Sequence, residues 1–388
     1  MSKAIERQLV GLFYGVAVIY TIVNLGGTFI GIPGVVFLAI FGVTVVYLYW
    51  QTFARTLSKN IASLLTFSIP LFVLNVSFSI EPINTGVYWV LWLMFLIALI
   101  KIIQRLNQAD LNRILRHVPY MLLVASVVLY IVLFPYLTYS LPTKNSLGLF
   151  AGATLISAMS IQSLARKGLV GSVALFILIA SDSRSSLVFA IGIVVIYLVS
   201  IARMKYGLVY MLAIVLLLIF EQPLYTFFED KMLKKELYAT NLDQAIESAQ
   251  KERTDLLIAG WELFKERPIE GFGLKTKYYE GRLALTPGAY VHVHNGYLGT
   301  LIETGLLISF LVVLFIIKIL LKTVRLIVVA PKRYDKIWLF FILFGFIRAY
   351  GENYLFFNIG NIFSIVFVFF CLVLLLGGSR LSLLPLRK

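Results

Sequence analysis

Apolar runs of membrane-crossing length constrain this chain more than any other feature. A helix needs about 20 apolar residues to traverse the hydrocarbon core of a bilayer. Runs of that order lie near residues 9–25, 28–50, 61–80, 83–103, 118–139, 147–164, 168–182, 185–202 and 207–220, and three more near 296–321, 336–350 and 354–376. The expectation is an all-α polytopic membrane protein with about twelve transmembrane helices. A residue content 60% hydrophobic and only 14% charged agrees, since soluble domains carry far more charge. The run at 168–182 is short and the break at 182–184 is tight, so residues 168–202 read either as two full spans or as one re-entrant hairpin.

Charge tests the count independently. With a cytoplasmic N-terminus, the inside connections carry 21 Lys and Arg, whereas the short outside loops carry only Lys144, Arg184 and Arg348. Basic residues resist translocation, so this bias supports twelve spans with both termini in the cytoplasm. The net charge of +15 is thereby explained by orientation, and no nucleic-acid partner is expected, because no basic face exists apart from those loops. The leading MSKAIERQ is followed by no small-residue cleavage site, so the first span is expected to be retained. Cys371 lies alone inside an apolar run and suggests neither a disulfide framework nor a thiolate metal site.

One segment breaks the pattern. Residues 221–294 hold 22 of the 53 charged residues, 12 acidic and 10 basic, between the ninth and tenth spans. The chain therefore divides into 1–220 with transmembrane helices 1–9, 221–294 as an extracytoplasmic loop subdomain, and 295–388 with helices 10–12. Residues 221–240 mix aromatics with charge, as a helix lying on the membrane surface would; Lys231, Lys234 and Lys235 there suit an anionic acceptor or anionic head groups equally. Residues 243–266 have helical periodicity and stop before Pro268. On their apolar face, with Ile246, Ala249, Leu256, Leu257, Gly260 and Phe264, sits Arg253. A guanidinium on such a face needs an anion or a carboxylate partner, because an unpaired buried charge is costly.

Two other places concentrate strong polar groups. The turn SDSRSSL at 181–187 offers Asp182 and Ser183 as helix N-caps and Arg184 near the outer face. That arginine reads either as an interfacial side chain paired with Asp182 or as a fork for phosphate oxygens. At the start of the tenth span, Asn295 is a good N-cap, and His294 sits just ahead of it. The positive end of the helix dipole disfavours imidazolium there, which leaves a neutral ring able to accept a proton. His292 lies on the same side of the chain, but no third ligand accompanies the pair, so no metal site is expected. Glu303 inside the tenth span, and Arg348 with Glu352 at the outer end of the eleventh, are supporting candidates as reactants or as partners of the arginines.

Together the SRSS turn, the loop arginine followed by GW, then RPIEGFGL, and HVHNGYLGTLIETG entering a span resemble the O-antigen ligase and Wzy polymerase superfamily of bacterial envelopes. The resemblance covers about residues 180–310 by motif. It implies a metal-independent glycosyltransferase without a cofactor, which moves a glycan from a polyprenyl pyrophosphate carrier to an acceptor hydroxyl at the outer face of the membrane. By motif position, Arg184 and Arg253 would grip the pyrophosphate and His294 would be the base. Polymerisation of repeat units for a capsule, exopolysaccharide or O-antigen is the first expectation; ligation of a finished glycan to lipid A core or another envelope acceptor is the second. Other polysaccharide assembly proteins are possible partners. A flippase for such lipids is the alternative of another class, disfavoured by the absence of matching halves, and a structural or accessory role is a third.

Overall fold

The computed structural model describes residues 70–133, 143–181, 183–201, 242–274, 293, 295–329, 336–351 and 362–376. The spans expected near 9–25, 28–50 and 207–220 lie outside them, as does the expected surface helix at 221–240. Among the described residues the fold is all-α. After a helical segment at 70–78 come α1 (Pro82–Arg105), α2 (Gln108–Leu133), α3 (Thr143–Ala158), α4 (Leu164–Ala180), α5 (Arg184–Ile201), α6 (Leu242–Glu266), α7 (Gly296–Val329), α8 (Ile337–Gly351) and α9 (Ile362–Leu376).

Local chemistry sets where these helices begin. Pro82 occupies the first turn of α1, where its missing N–H costs nothing. α2 starts well before the expected 118, because Asn107 and Asp110 cap it reciprocally: the Asp110 amide donates to Asn107 Oδ1 (2.9 Å) and the Asn107 amide to Asp110 Oδ2 (3.2 Å). Arg113 and Arg116, expected in a connecting loop, therefore lie on the first turns of α2. Ser163 likewise caps α4 through the Arg166 amide, which puts Arg166 and Lys167 in its first turn rather than in a loop. At the far end of α7, Lys336 Nζ donates to the Ile327 carbonyl (2.7 Å), a cation satisfying a terminal helix acceptor.

α3 is the axis of the bundle. Leu147–Ala158 are buried without a break, including Thr154 and Ser157, as expected of a helix apolar on every side. Its glycines set the spacing of its neighbours. A Cβ on Gly148 would overlap Ser183, and one on Gly152 would meet the Phe344 ring at 2.9 Å and Ala190 at 3.2 Å. α5 and α8 thus lie directly against α3, while α2 and α4 pack on it elsewhere. Beyond α8, ring contacts such as Phe341–Phe370 and Phe346–Phe367 join α8 to α9.

The outer faces of this bundle are apolar. Leu175, Phe176 and Ile179 on α4, Val188, Val195 and Ile196 on α5, and Leu306, Phe310, Leu314, Ile317 and Leu321 on α7 are all exposed. Contiguous apolar surface of this kind fits lipid rather than water. By length and composition two helical stretches, Gln108–Ile131 and Gly296–Val328, are candidate membrane spans, and shorter apolar helices include Ser185–Leu198 and Ile337–Tyr350. α4 and α5 are separate helices of 17 and 18 residues joined by a tight turn, each about 26 Å long and so slightly short of the hydrocarbon thickness.

Candidate functional site

The SDSRSSL turn is built into the centre of the bundle. Ser181 and Ser183 are buried, and the Ser183 amide donates to Ser181 Oγ (3.3 Å). Ser183 Oγ and Ser186 Oγ share a hydrogen bond of 2.7 Å above Gly148, and the Ser183 carbonyl accepts from Leu187, so Ser183 is the N-cap of α5. From the opposite side, Arg348, fully buried near the end of α8, donates from Nη1 to Ser185 Oγ (2.7 Å). Arg184 is thus the first residue of a helix whose first turn is fixed on two sides. Its side chain and Asp182 lie outside the description.

The start of α7 is held by the same end of α8. Asn295 caps α7 as expected, its Oδ1 accepting from the amides of Tyr297 and Leu298, both at 3.0 Å. Tyr297 reaches across to donate its hydroxyl to the Phe346 carbonyl (2.8 Å), two residues from Arg348. The last turn of α8 thus connects the segment bearing Arg184 to the segment that follows His294. His294 itself and Glu352 lie outside the described residues.

α6 packs on the start of α7 through the face read from its periodicity. Leu263, Phe264, Phe272, Val293 and Ile302 form a small core, with Leu256, Leu257, Leu298 and Leu301 against it. Gly260 allows the close approach, since a Cβ there would meet Val293 at 2.6 Å and Leu298 at 3.2 Å. Arg253 lies on this helix two turns ahead of Gly260, and its side chain is outside the description.

Beyond α6 the chain makes a contact that no periodicity predicts. α7, expected as an unbroken span, is interrupted at Gly305 (φ 69°, ψ 179°). The loop 267–274 enters this break. The Phe272 amide donates to Ile302 (2.9 Å) and Gly273 to Glu303 (2.9 Å), while Leu306 donates back to Pro268 (2.7 Å). Backbone groups freed by the kink are satisfied by the loop, the condition under which irregular backbone is tolerated inside a membrane protein. Gly271 and Gly305 meet back to back with positive φ, and a Cβ on either would overlap the other segment.

Residues ahead of α1 and on its first turns receive the loop. Asn75, fully buried, donates from Nδ2 to the carbonyls of both Glu270 (2.7 Å) and Glu303 (3.0 Å), while its Oδ1 accepts from Trp89 Nε1 (2.9 Å). Ser79 Oγ and the Ile80 amide both donate to the Phe272 carbonyl, and Thr85 Oγ1 donates to Leu274. Arg267 closes the arrangement, with Nη1 donating to the Phe78 carbonyl (2.6 Å) and its guanidinium over the Phe272 ring. Glu303, expected deep in an unbroken span, is buried in the last turn before the break.

Residues 169–313 match the family model described as O-antigen ligase. Over that stretch the chain is similar to the O-antigen ligase family. The matched O-antigen ligase stretch begins in α4 and ends in α7, so it contains the SDSRSSL turn, α6, the 267–274 loop and the kink. Its supports come from outside the match: Asn75, Ser79 and Trp89 below the loop, and Gly148 and Arg348 around the turn. No curated protein matches the chain.

The structure thus ties 183–186 and 293–302 separately to the end of α8, and packs 256–264 on 293–302 through the small core under α6. Sequence reasoning named Asn295 as an N-cap, which it is, and Arg348 only as a candidate; it missed Ser185 and Tyr297, whose hydrogen bonds reach the end of α8. It also missed Asn75, Trp89 and Arg267. For these the available signal was the pair of glycines in EGFGL, within a Gly-rich turn region, and the glycine of IETG, inside an expected span.

Proposed function

We propose that this chain, similar over 169–313 to the O-antigen ligase family, is a metal-independent glycosyltransferase acting on a polyprenyl-pyrophosphate-linked glycan at the outer face of the plasma membrane. The observation that carries the proposal is the family match over the stretch in which the SDSRSSL turn and the capped start of α7 are both tied to the last turn of α8. In this reading residues 221–294 form the extracytoplasmic subdomain, with helices 1–9 before it and 10–12 after. The excess of 21 basic residues on the expected inside over 3 on the expected outside supports that orientation, with both termini cytoplasmic.

The chemistry needs an electrophilic sugar carbon, a leaving group and a base. The acceptor hydroxyl forms a new bond to the anomeric carbon as the bond from that carbon to the pyrophosphate oxygen breaks. The polyprenyl pyrophosphate departs with the bonding pair, and the hydroxyl proton goes to His294. Arg184 and Arg253 hold the pyrophosphate, and their preorganised charge stabilises the departing group more than the bound donor. Two guanidinium forks supply this without a divalent ion. Asn295 supports the base: as N-cap it fixes the helix terminus that follows His294 in the chain. A base opposite the leaving group favours inversion at the anomeric carbon.

Within the family activity, polymerisation of repeat units into a capsule, exopolysaccharide or O-antigen is our first assignment. Ligation to lipid A core or another envelope acceptor is the second, favoured by the description of the matched family. Purified protein incubated with a lipid-linked repeat unit alone is expected to give a ladder of longer lipid-linked glycans. Transfer only when a second acceptor is added selects the ligase, and no transfer in either tube refutes the proposal.

A further inference from the structure

The small core between α6 and α7 does not by itself fix how far α6 leans along α7, because apolar contacts are not directional. The 267–274 loop does, since it leaves α6 at Glu266 and is hydrogen-bonded into the break of α7 through Pro268, Phe272 and Gly273. One side chain holds both partners of that junction. The Asn75 carboxamide donates to Glu270 in the loop and to Glu303 in α7, and Trp89 donates to its oxygen, so all three of these polar contacts are made at a fully buried site. A group that cross-links two backbones in a dry environment is costly to remove, because the acceptors it served are left buried.

We infer that Asn75 is a positioning residue of the transferase site, acting through the 267–274 loop to fix α6, and with it Arg253, against the start of α7 beside His294. This rests on the proposed roles of Arg253 and His294. Trp89 orients the carboxamide, and the paired glycines Gly271 and Gly305 let the two backbones come close enough for one side chain to bridge them. The ordering of RPIEGFGL and IETG within the matched family stretch then has a mechanical reason: the second breaks the helix that receives the first.

The test uses full-length protein in nanodiscs with a lipid-linked repeat unit as donor, comparing Asn75→Ala, Asn75→Asp and the parent. Misplacing a catalytic group by about 1 Å can cost 10²-fold, so kcat for Asn75→Ala is expected to fall at least tenfold while the donor KM changes by less. Asn75→Asp, isosteric but with one fewer nitrogen donor group to give, is expected to fall similarly. In a second readout that needs no activity, Gly260→Cys with Val293→Cys is oxidised across the α6–α7 contact, with and without Asn75→Ala. The disulfide is expected to form readily when Asn75 is present and at least several-fold more slowly when it is Ala. Parent-like kcat in the variants, or disulfide formation at the same rate with and without Asn75, overturns the inference. Arg253→Ala and His294→Ala run alongside: if they retain full transfer, the proposed site itself is wrong, a failure distinct from that of the Asn75 variants.

Discussion

Arg348 and Ser185 show how single residues hold this site. A buried guanidinium donating to a hydroxyl 163 positions away fixes the first turn of α5 directly beside Arg184. Ser185→Ala leaves that donor facing a methyl group and is expected to cost about 1–3 kcal/mol of stability, read as a lower melting temperature in detergent. Arg253→Lys carries a different expectation. It keeps the charge but loses the two-pronged grip, so transfer should fall by more than tenfold with the protein level unchanged, measured as initial rate on a lipid-linked donor. The charged residues and the helix cap were legible in the sequence because arginines and asparagines in apolar surroundings stand out. Ser185 and Tyr297 were not, since a serine or tyrosine at a helix start is ordinary until the residue it touches is known.

At the scale of elements, α6 and α7 contrast. The periodic face of α6 reads directly from 3.6-residue spacing, and Leu256, Leu257, Gly260 and Phe264 are indeed the residues packed on α7. The interruption of α7 does not read this way, because its cause lies some thirty residues upstream in a loop that supplies the missing hydrogen bonds. Helix starts were misjudged for a related reason: hydropathy marks where a helix turns apolar, whereas Asn107, Asp110 and Ser163 mark where it begins. The break also makes a prediction. Gly305→Ala imposes a Cβ at φ 69° against the Ile269 carbonyl, so it should lower the melting temperature and make the 267–274 segment more accessible to protease in detergent. Gly192→Ala, at a position with open space around it, is the control expected to do neither.

For the whole molecule, the exposed faces of α4, α5 and α7 are apolar and suit lipid, and the proposed topology sets the polar segment 221–294 in the water above the bundle. Orientation can be tested without substrate. Cys371 is buried, so Glu262→Cys on exposed α6 should be labelled by a membrane-impermeant maleimide in intact cells, whereas Ser2→Cys should require permeabilisation. The reverse pattern would invert the topology. The bundle was legible as helices because apolar runs of this length have few other uses; its packing around α3 was not, since a helix buried on all sides and a helix bathed in lipid have the same composition. The most direct measurement of the central claim is a structure of the protein in a lipid nanodisc with a polyprenyl pyrophosphate bound. We expect a guanidinium nitrogen of Arg184 and one of Arg253 each within about 3 Å of a phosphate oxygen, with the His294 ring facing the space an acceptor hydroxyl would enter. A pyrophosphate seated away from both arginines, or arginines on opposite sides of the membrane, would contradict it.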